Sequence, residues 1–239
     1  MLSIILPSYK GSSLLAKNLP LFINYLQEKK IEHEIIVVDD GSEDNDATKK
    51  IAEQYGCIFL ENVKNMGKGA AVRKGMFQAK GEFRIFTDVD IPFEFEAFER
   101  FLHYLDYKEF DIVIGDRTLP GSAYFTEISR TRKIGSNFFS FLVGRFVTSG
   151  MFDTQCGMKG FRAHIAEDLF SVNRINGFAF DVELLYIALK RNYDIKRLPV
   201  KLRTNESSTI SLAREGITMF ADILTIKLNQ LQEKYKKKT

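Results

Sequence analysis

A chain of 239 residues, 45% hydrophobic and 27% charged, is long enough to bury one sizeable core and has the composition of a globular domain. A net charge of +3 is too small to imply a nucleic-acid partner, and two cysteines in unrelated contexts, Cys57 and Cys156, fit free thiols rather than a disulfide framework. No apolar run approaches the ~18 residues of a membrane span, and the start Leu2-Ser3-Ile4-Ile5-Leu6-Pro7 lacks the features of a signal peptide. The expectation is a cytoplasmic protein able to touch a membrane at its periphery without crossing it.

In chain order, residues 3–6 read as a strand, 14–27 as an amphipathic helix and 34–38 as a second strand. Residues 46–55 form a predicted helix closed by Gly56, followed by a strand over 57–60. A helix over 68–79, ended by Gly81, leads to a strand over 83–86. A helix over 93–105 and a buried strand over 112–114 complete the regular half. Strands alternating with helices of this length predict an α/β domain with a mostly parallel sheet flanked by helices. The second half is less regular: a polar loop over 118–129, a Phe-rich helix over 132–147, and a Gly-punctuated strand over 153–162. Helices over 165–170 and 180–190 and a strand over 194–202 follow. An amphipathic helix over 216–236 carries Ile217, Phe220, Ile223, Leu224 and Leu228 on one face and ends in lysines. With no repeat or Pro/Gly-rich linker, one domain is the economical count: 1–205, with 206–239 as a C-terminal helix and basic tail belonging to it.

In parallel sheets of this kind ligands bind beyond the carboxyl ends of the strands. The polar punctuation falls there: Pro7-Ser8-Tyr9, Asp39-Asp40-Gly41-Ser42, Asp88-Val89-Asp90 and Gly115-Asp116-Arg117. Asp88 and Asp90 end a buried strand, where ionised carboxylates are costly without a partner. A divalent cation, Mg²⁺ or Mn²⁺, held jointly with a nucleotide diphosphate, supplies one, because Mg²⁺ takes one or two carboxylates and fills its shell with phosphate oxygens and water. The plainer reading is a capping pair before the helix at 93. Pro7 turns the chain after its strand, and Tyr9 can stack beneath a base or simply end the strand. Asp39 and Asp40 can cap the next helix or contact a ligand; Asp40 is the preferred contact, with Asp39 bonding nearby backbone amides. Asn65 to Arg73 is a glycine-rich turn entering a helix, where Lys68 and Arg73 can face a phosphate or stay solvated.

The segments Leu6-Pro7-Ser8-Tyr9, Val37-Val38-Asp39-Asp40-Gly41-Ser42, Asn65-Met66-Gly67-Lys68-Gly69-Ala70-Ala71-Val72-Arg73 and Thr87-Asp88-Val89-Asp90 stand in the order seen in inverting family 2 glycosyltransferases of the GT-A fold. With Asp153-Thr154-Gln155-Cys156-Gly157-Met158-Lys159 and Gly177-Phe178-Ala179-Phe180-Asp181-Val182-Glu183-Leu184-Leu185, the chain resembles the polyprenyl- and dolichyl-phosphate sugar synthases, the dolichyl-phosphate β-glucosyltransferase branch above all, over roughly residues 2–205. The resemblance implies a nucleotide-sugar donor, UDP-glucose in preference to GDP-mannose, and a lipid-phosphate acceptor. It makes Asp88 and Asp90 the metal site and Pro7, Tyr9, Asp40 and Lys68 part of the donor pocket. Where the motif's relatives continue with a further acidic residue, this chain has Ile91-Pro92.

An anionic acceptor needs cations rather than a base, and arginine binds phosphate bidentately. Arg117, Arg132 and Arg203 are the expected cations, with Ser207 and Ser208 near the last. The resemblance implies Asp181 as general base if the acceptor is a hydroxyl and as a residue that only orients groups if it is a phosphate. Glu183, two residues on along a helix, faces elsewhere. Phe138, Phe139, Phe141, Phe146 and Phe152 beside Arg132, Lys133 and Arg145 suit either a lipid-facing helix or core packing. Three rival readings stand: a transferase acting on a glycan or protein hydroxyl, a nucleotide-sugar-binding or recruiting subunit without turnover, and a phosphatase with Asp-x-Asp at a strand end.

Overall fold

The computed structural model describes residues 1–123, 150, 153–203 and 212–236, with the backbone alone for 212–220. Arg132, the Phe-rich helix predicted over 132–147, Ser207 and Ser208 lie outside these residues. The described elements run β1 (Leu2–Ser8), α1 (Ser12–Glu28), β2 (His33–Asp39), α2 (Ala47–Gln54), β3 (Ile58–Glu61), α3 (Lys68–Gln78), β4 (Phe83–Phe86), α4 (Glu96–Asp106) and β5 (Ile112–Asp116). They continue with β6 (Lys159–Arg162), α5 (Ala163–Val172), α6 (Phe180–Lys190), β7 (Ile195–Pro199) and α7 (Leu212–Leu231).

The strands form one sheet in the order β3-β2-β1-β4-β6-β5-β7. Side chains alternate across it, as the two-residue period of a strand requires. Ile5, Ile36 and Val38 enter one core with Phe86, Phe161 and Phe180, while Ile4, Leu6, Ile35 and Val37 enter the other with Phe22, Phe98 and Phe101. Each large apolar side chain so buried contributes about 1.5–3 kcal/mol. Helix α3 lies on β1 so closely that a Cβ on Gly75 would sit 2.5 Å from Ile5 Cγ2. That approach fixes where the N-terminus of α3 points, at the carboxyl ends of β1 and β4.

The mostly parallel sheet is as expected, with one departure that builds the site. β6 runs antiparallel between β4 and β5, pairing Lys159 with Phe86 and with Ile114. Its amino end therefore arrives where its neighbours end, and residues 153–158 enter among the strand-end carboxylates instead of extending the strand. The helix predicted from 93 begins at Glu96 because the preceding residues are held otherwise. Ile91 takes a positive φ of 44°, its N–H donates to Asp88 O at 2.9 Å, and Phe93 bridges Leu202. α7 packs on α6, placing Ile226 and Tyr235 in the first core.

Candidate active site

At the end of β2, Asp39 and Asp40 are both buried, and both carboxylates have protein partners. Asp39 accepts from Ser42 N at 2.8 Å and from Ser42 Oγ. Asp40 accepts from Asn62 Nδ2 at 2.8 Å, Met66 N at 3.0 Å and Gly67 N at 2.7 Å, tying β2 to the turn before α3. Gly67 has a φ of 100°, and a Cβ there would lie 2.5 Å from Asn176 O, so only glycine fits this crossing. Capping of α2 falls to neither aspartate of the pair; Asp44 does it, accepting from Thr48 N at 3.0 Å and Thr48 Oγ1 at 2.5 Å. The structural role expected of Asp39 extends to Asp40, the residue favoured as the ligand contact. Tyr9, beside them, is about half exposed, with Lys10 Nζ 5.3 Å from its ring centre.

At the end of β4 the carboxylates meet cations. Lys68 Nζ, on the first residue of α3, lies 2.5 Å from Asp88 Oδ1. Asp181, in the first turn of α6, has Lys159 Nζ 2.8 Å from its Oδ1, and that ammonium also donates to Cys156 O at 2.7 Å. Lys159 is wholly buried and lies under the Phe86 ring, 5.5 Å from its centre. Burial pushes the Asp181 carboxyl up from its ordinary range, while Lys159 and then Lys68 pull it back. Burial disfavours the charge on Lys68, yet Asp88, Asp181 and Asp90 more than compensate and raise its pKa. The result is an alternating series, Lys159, Asp181, Lys68, Asp88, leading from the core to the strand-end opening.

The 153–159 segment backs this series at three points. A Cβ on Gly157 would collide with Asp88 Oδ2, so the backbone there seats the carboxylate. Lys159 holds Asp181. Asp153 takes the Arg117 guanidinium in a fork, Nε at 2.8 Å and one terminal nitrogen at 2.6 Å, and accepts from Arg117 N at 2.6 Å. Asp116, fully buried beside it, accepts from Arg197 Nε at 2.6 Å and from Thr118 N at 2.8 Å. Arg203 donates to Asn18 Oδ1 at 2.6 Å and Ile91 O at 3.3 Å and stacks on Phe95, next to the Asp88-Val89-Asp90 turn. Arg73 turns away to Asn173 and Asn176. Glu183 faces away from Asp181 as expected, accepting from Arg174 N, Ile175 N and Tyr235 Oη.

The structure therefore brings Asp88, Lys68 and Asp181 together, with Asp90 close enough to raise the Lys68 pKa. It places Arg117 and Arg203 at the border of this group, each anchored to the protein. Sequence reasoning missed Lys159, Asp153 and Arg197. The signal for the first was available, since a lysine inside an apolar strand demands a buried counter-charge. The residues suit a divalent cation shared with a diphosphate. Asp88 and Asp90 supply two carboxylates, Asp88 does not cap α4, and the nearby hydroxyls Ser8 Oγ and Thr87 Oγ1 are buried without a hydrogen-bond partner. Such orphaned polar atoms are costly unless a ligand or water completes them.

Comparison with known proteins gives a consistent result. The signature of Glycosyl transferase family 2 matches residues 3–170. A dolichyl-phosphate beta-glucosyltransferase of Dictyostelium discoideum is 32% identical over 96% of this chain and 75% of its own length. The Homo sapiens protein of the same name is 33% identical over 96% and 76%. Among solved structures, the Mycobacterium tuberculosis glucosyl-3-phosphoglycerate synthase in complex with Mn²⁺, UDP and glucosyl-3-phosphoglycerate superposes with a TM-score of 0.70, 17% identity and coverage of 95% of this chain and 79% of that one. The mannosyl-3-phosphoglycerate synthase of Rubrobacter xylanophilus gives 0.73 at 17% identity, covering 100% and 77%. The shared fold is GT-A.

Proposed function

The chain belongs to glycosyl transferase family 2, and we propose that it transfers glucose from UDP-glucose to a dolichyl or polyprenyl phosphate, with inversion at the anomeric carbon. The observation that carries this reading is the extent of the match: proteins named for that activity align over 96% of the chain, beyond the 3–170 family region.

The site's chemistry agrees with an anionic acceptor. A phosphate oxygen of the acceptor attacks the anomeric carbon, the bond from that carbon to the β-phosphate oxygen breaks, and its electron pair stays on the departing diphosphate. The acceptor has no proton to lose, so no base is required. Asp181 fits that economy, because its nearest partners are cations and it is counter-ion to Lys159 and Lys68. Lys68 lies at a helix N-terminus, where N–H groups and positive charge favour phosphate oxygens. Mg²⁺ or Mn²⁺ on Asp88 and Asp90 would neutralise charge developing on the leaving diphosphate. Anchored Arg117 and Arg203 flank the opening; a loosening of either guanidinium toward the acceptor phosphate is part of this reading.

The test is transfer of label from UDP-[¹⁴C]glucose, with GDP-[¹⁴C]mannose as control, to polyprenyl phosphate in the presence of Mg²⁺ or Mn²⁺. Organic-phase label from UDP-glucose alone, abolished by EDTA and retained to a large extent in Asp181→Asn, is the expected result. Label reaching only soluble glycans, with Asp181→Asn inactive, would replace it with the hydroxyl-acceptor reading.

A further inference from the structure

The apolar face predicted for the C-terminal helix is divided in the structure. Ile223 and Ile226 turn inward to the core, whereas Leu224, Leu228 and Leu231 point outward, 53%, 54% and 79% exposed. Their spacing of four and three residues makes a continuous stripe along α7. A helix that already has a buried face gains nothing from a second apolar face in water. Exposed stripes rimmed by polar groups mark an interaction surface.

The rim is basic. Lys227 and Lys190 both lie over the Tyr186 ring, 4.6 Å and 5.8 Å from its centre. Burial and the neighbouring Lys190 depress the Lys227 pKa. Leu231, Lys190, Arg191, Glu233 and Lys236 line a cleft of about 670 Å³ at the end of the stripe, where Arg191 pairs with Asp168 and Lys236 with Glu233, so the excess positive charge rests on Lys190, Lys227 and the terminal lysines. Residues 227–239 hold five lysines against one glutamate. A self-associating two-fold face would set these lysines against one another, since the same patch meets itself. An anionic lipid surface has the complementary charge and takes the leucines into its acyl boundary.

From the stripe and its basic rim we infer that α7 and the end of α6 form a docking surface for an anionic bilayer, lying on it with Leu224, Leu228 and Leu231 inserted. Among the described residues no helix is long and apolar enough to cross a membrane, which fits a helix lying flat. The opposite, inner face of the same helix meets the loop that leads into the site. Asp222 of α7 lies beside Gly177, and the loop containing Gly177 packs on Gly67 and Gly69 at the start of α3 before leading into Asp181. A lipid-phosphate acceptor, on which this assignment rests for its purpose, must bring its phosphate to the opening flanked by Arg117 and Arg203 while its chain stays in the bilayer. Docking through α7 lets it do so.

The experiment is flotation of the full chain with phosphatidylcholine vesicles, with and without phosphatidylglycerol. Transfer is assayed in parallel to a water-soluble short-chain polyprenyl phosphate and to a long-chain one embedded in the vesicles. Wild type is expected to float with the anionic vesicles only and to be released by high salt. Leu224→Glu/Leu228→Glu should stay in the aqueous phase with an unchanged circular dichroism spectrum. It should keep its rate on the soluble acceptor and lose tenfold or more on the embedded one. Lys227→Ala/Lys236→Ala should bind about fivefold more weakly for each lysine removed at low salt. A wild type that never floats overturns the proposal, as does a double-Glu variant that floats equally well or one whose only defect is loss of a dimer in sedimentation. Leucine-dependent flotation without transfer to either phosphate acceptor leaves the surface standing and removes the acceptor reading instead.

Discussion

The carboxylates at the end of β2 and those at the ends of β4 and β5 differ in what holds them. Asp39 and Asp40 accept from hydroxyl, amide and backbone N–H groups, donors that cannot leave without refolding the turn before α3. Asp88 and Asp181 are held by Lys68 and Lys159, side chains on flexible stems, and Asp153 and Asp116 by Arg117 and Arg197 together with one backbone N–H each. The first group makes a fixed wall. The second consists of ion pairs in which a charged ligand can replace one member, since phosphate competes for the cation and a metal ion for the carboxylate. A donor diphosphate carrying both charges belongs at the second group, with the first giving the pocket its shape.

The most severe way to break that contrast is at Asp88. Asp88→Asn keeps the shape and removes the charge, so transfer should fall about 100- to 1000-fold, the scale of losing one electrostatic stabiliser of a transition state. The carboxylate is partly open to solvent, so the melting temperature should hardly move. Initial rates of UDP-glucose turnover and a thermal melt check both halves; wild-type turnover would remove Asp88 from the chemistry.

Lys159→Met is expected to act on stability and on pH dependence together. Removing one partner of a buried pair costs about 3–5 kcal/mol, and here the orphan is Asp181. Its carboxyl is raised by burial and lowered first by Lys159. A carboxyl whose pKa is raised on folding costs stability at neutral pH, and the cost is relieved as pH falls through the folded pKa. Without Lys159 the folded pKa rises further, so the loss of melting temperature in Lys159→Met should be largest near neutral pH and shrink on acidification. Lys159→Gln, which keeps a donor for Cys156 O, separates packing from charge: it should fold better than the Met variant and show the same pH-dependent deficit. A deficit that does not change with pH in either variant would mean that Lys159 does not set the charge on Asp181.

Much of this was legible before the fold was known, and the reason is periodicity. Alternating apolar strands and helices of ordinary length specify a mostly parallel sheet, and their polar ends specify its ligand-binding edge, which places Asp88; Lys68 follows from the glycine-rich helix start and Asp181 from the family resemblance. The antiparallel β6 was not legible. Its pairing with β4 and β5 is a long-range choice, and nothing in Lys159-Gly160-Phe161-Arg162 sets its direction. The partners of the arginines were hidden for the same reason: Asp153 reaches Arg117 across 36 residues and Asp116 reaches Arg197 across 81. The division of α7 into an inner and an outer apolar face depends on how the helix is rotated against α6, which a helical stripe leaves open.

The gentlest test lies at Asp40. Its two oxygens accept three hydrogen bonds, and one of them serves Asn62 and Met66 while the other serves Gly67. In Asp40→Asn either rotamer turns an NH₂ group toward a backbone N–H, leaving a buried donor without an acceptor. That costs about 1–3 kcal/mol, a few degrees of melting temperature in a protein of this size. Because the loss acts through the turn that carries Lys68, KM for the nucleotide sugar should rise more than kcat falls. Lowering the temperature, which restores the turn, should recover part of the activity. A variant as inactive as Asp88→Asn but as stable as wild type would mean that Asp40 touches the ligand directly. The wall would then be part of the exchangeable set, and the distinction between neutral and cationic partners would carry no functional meaning.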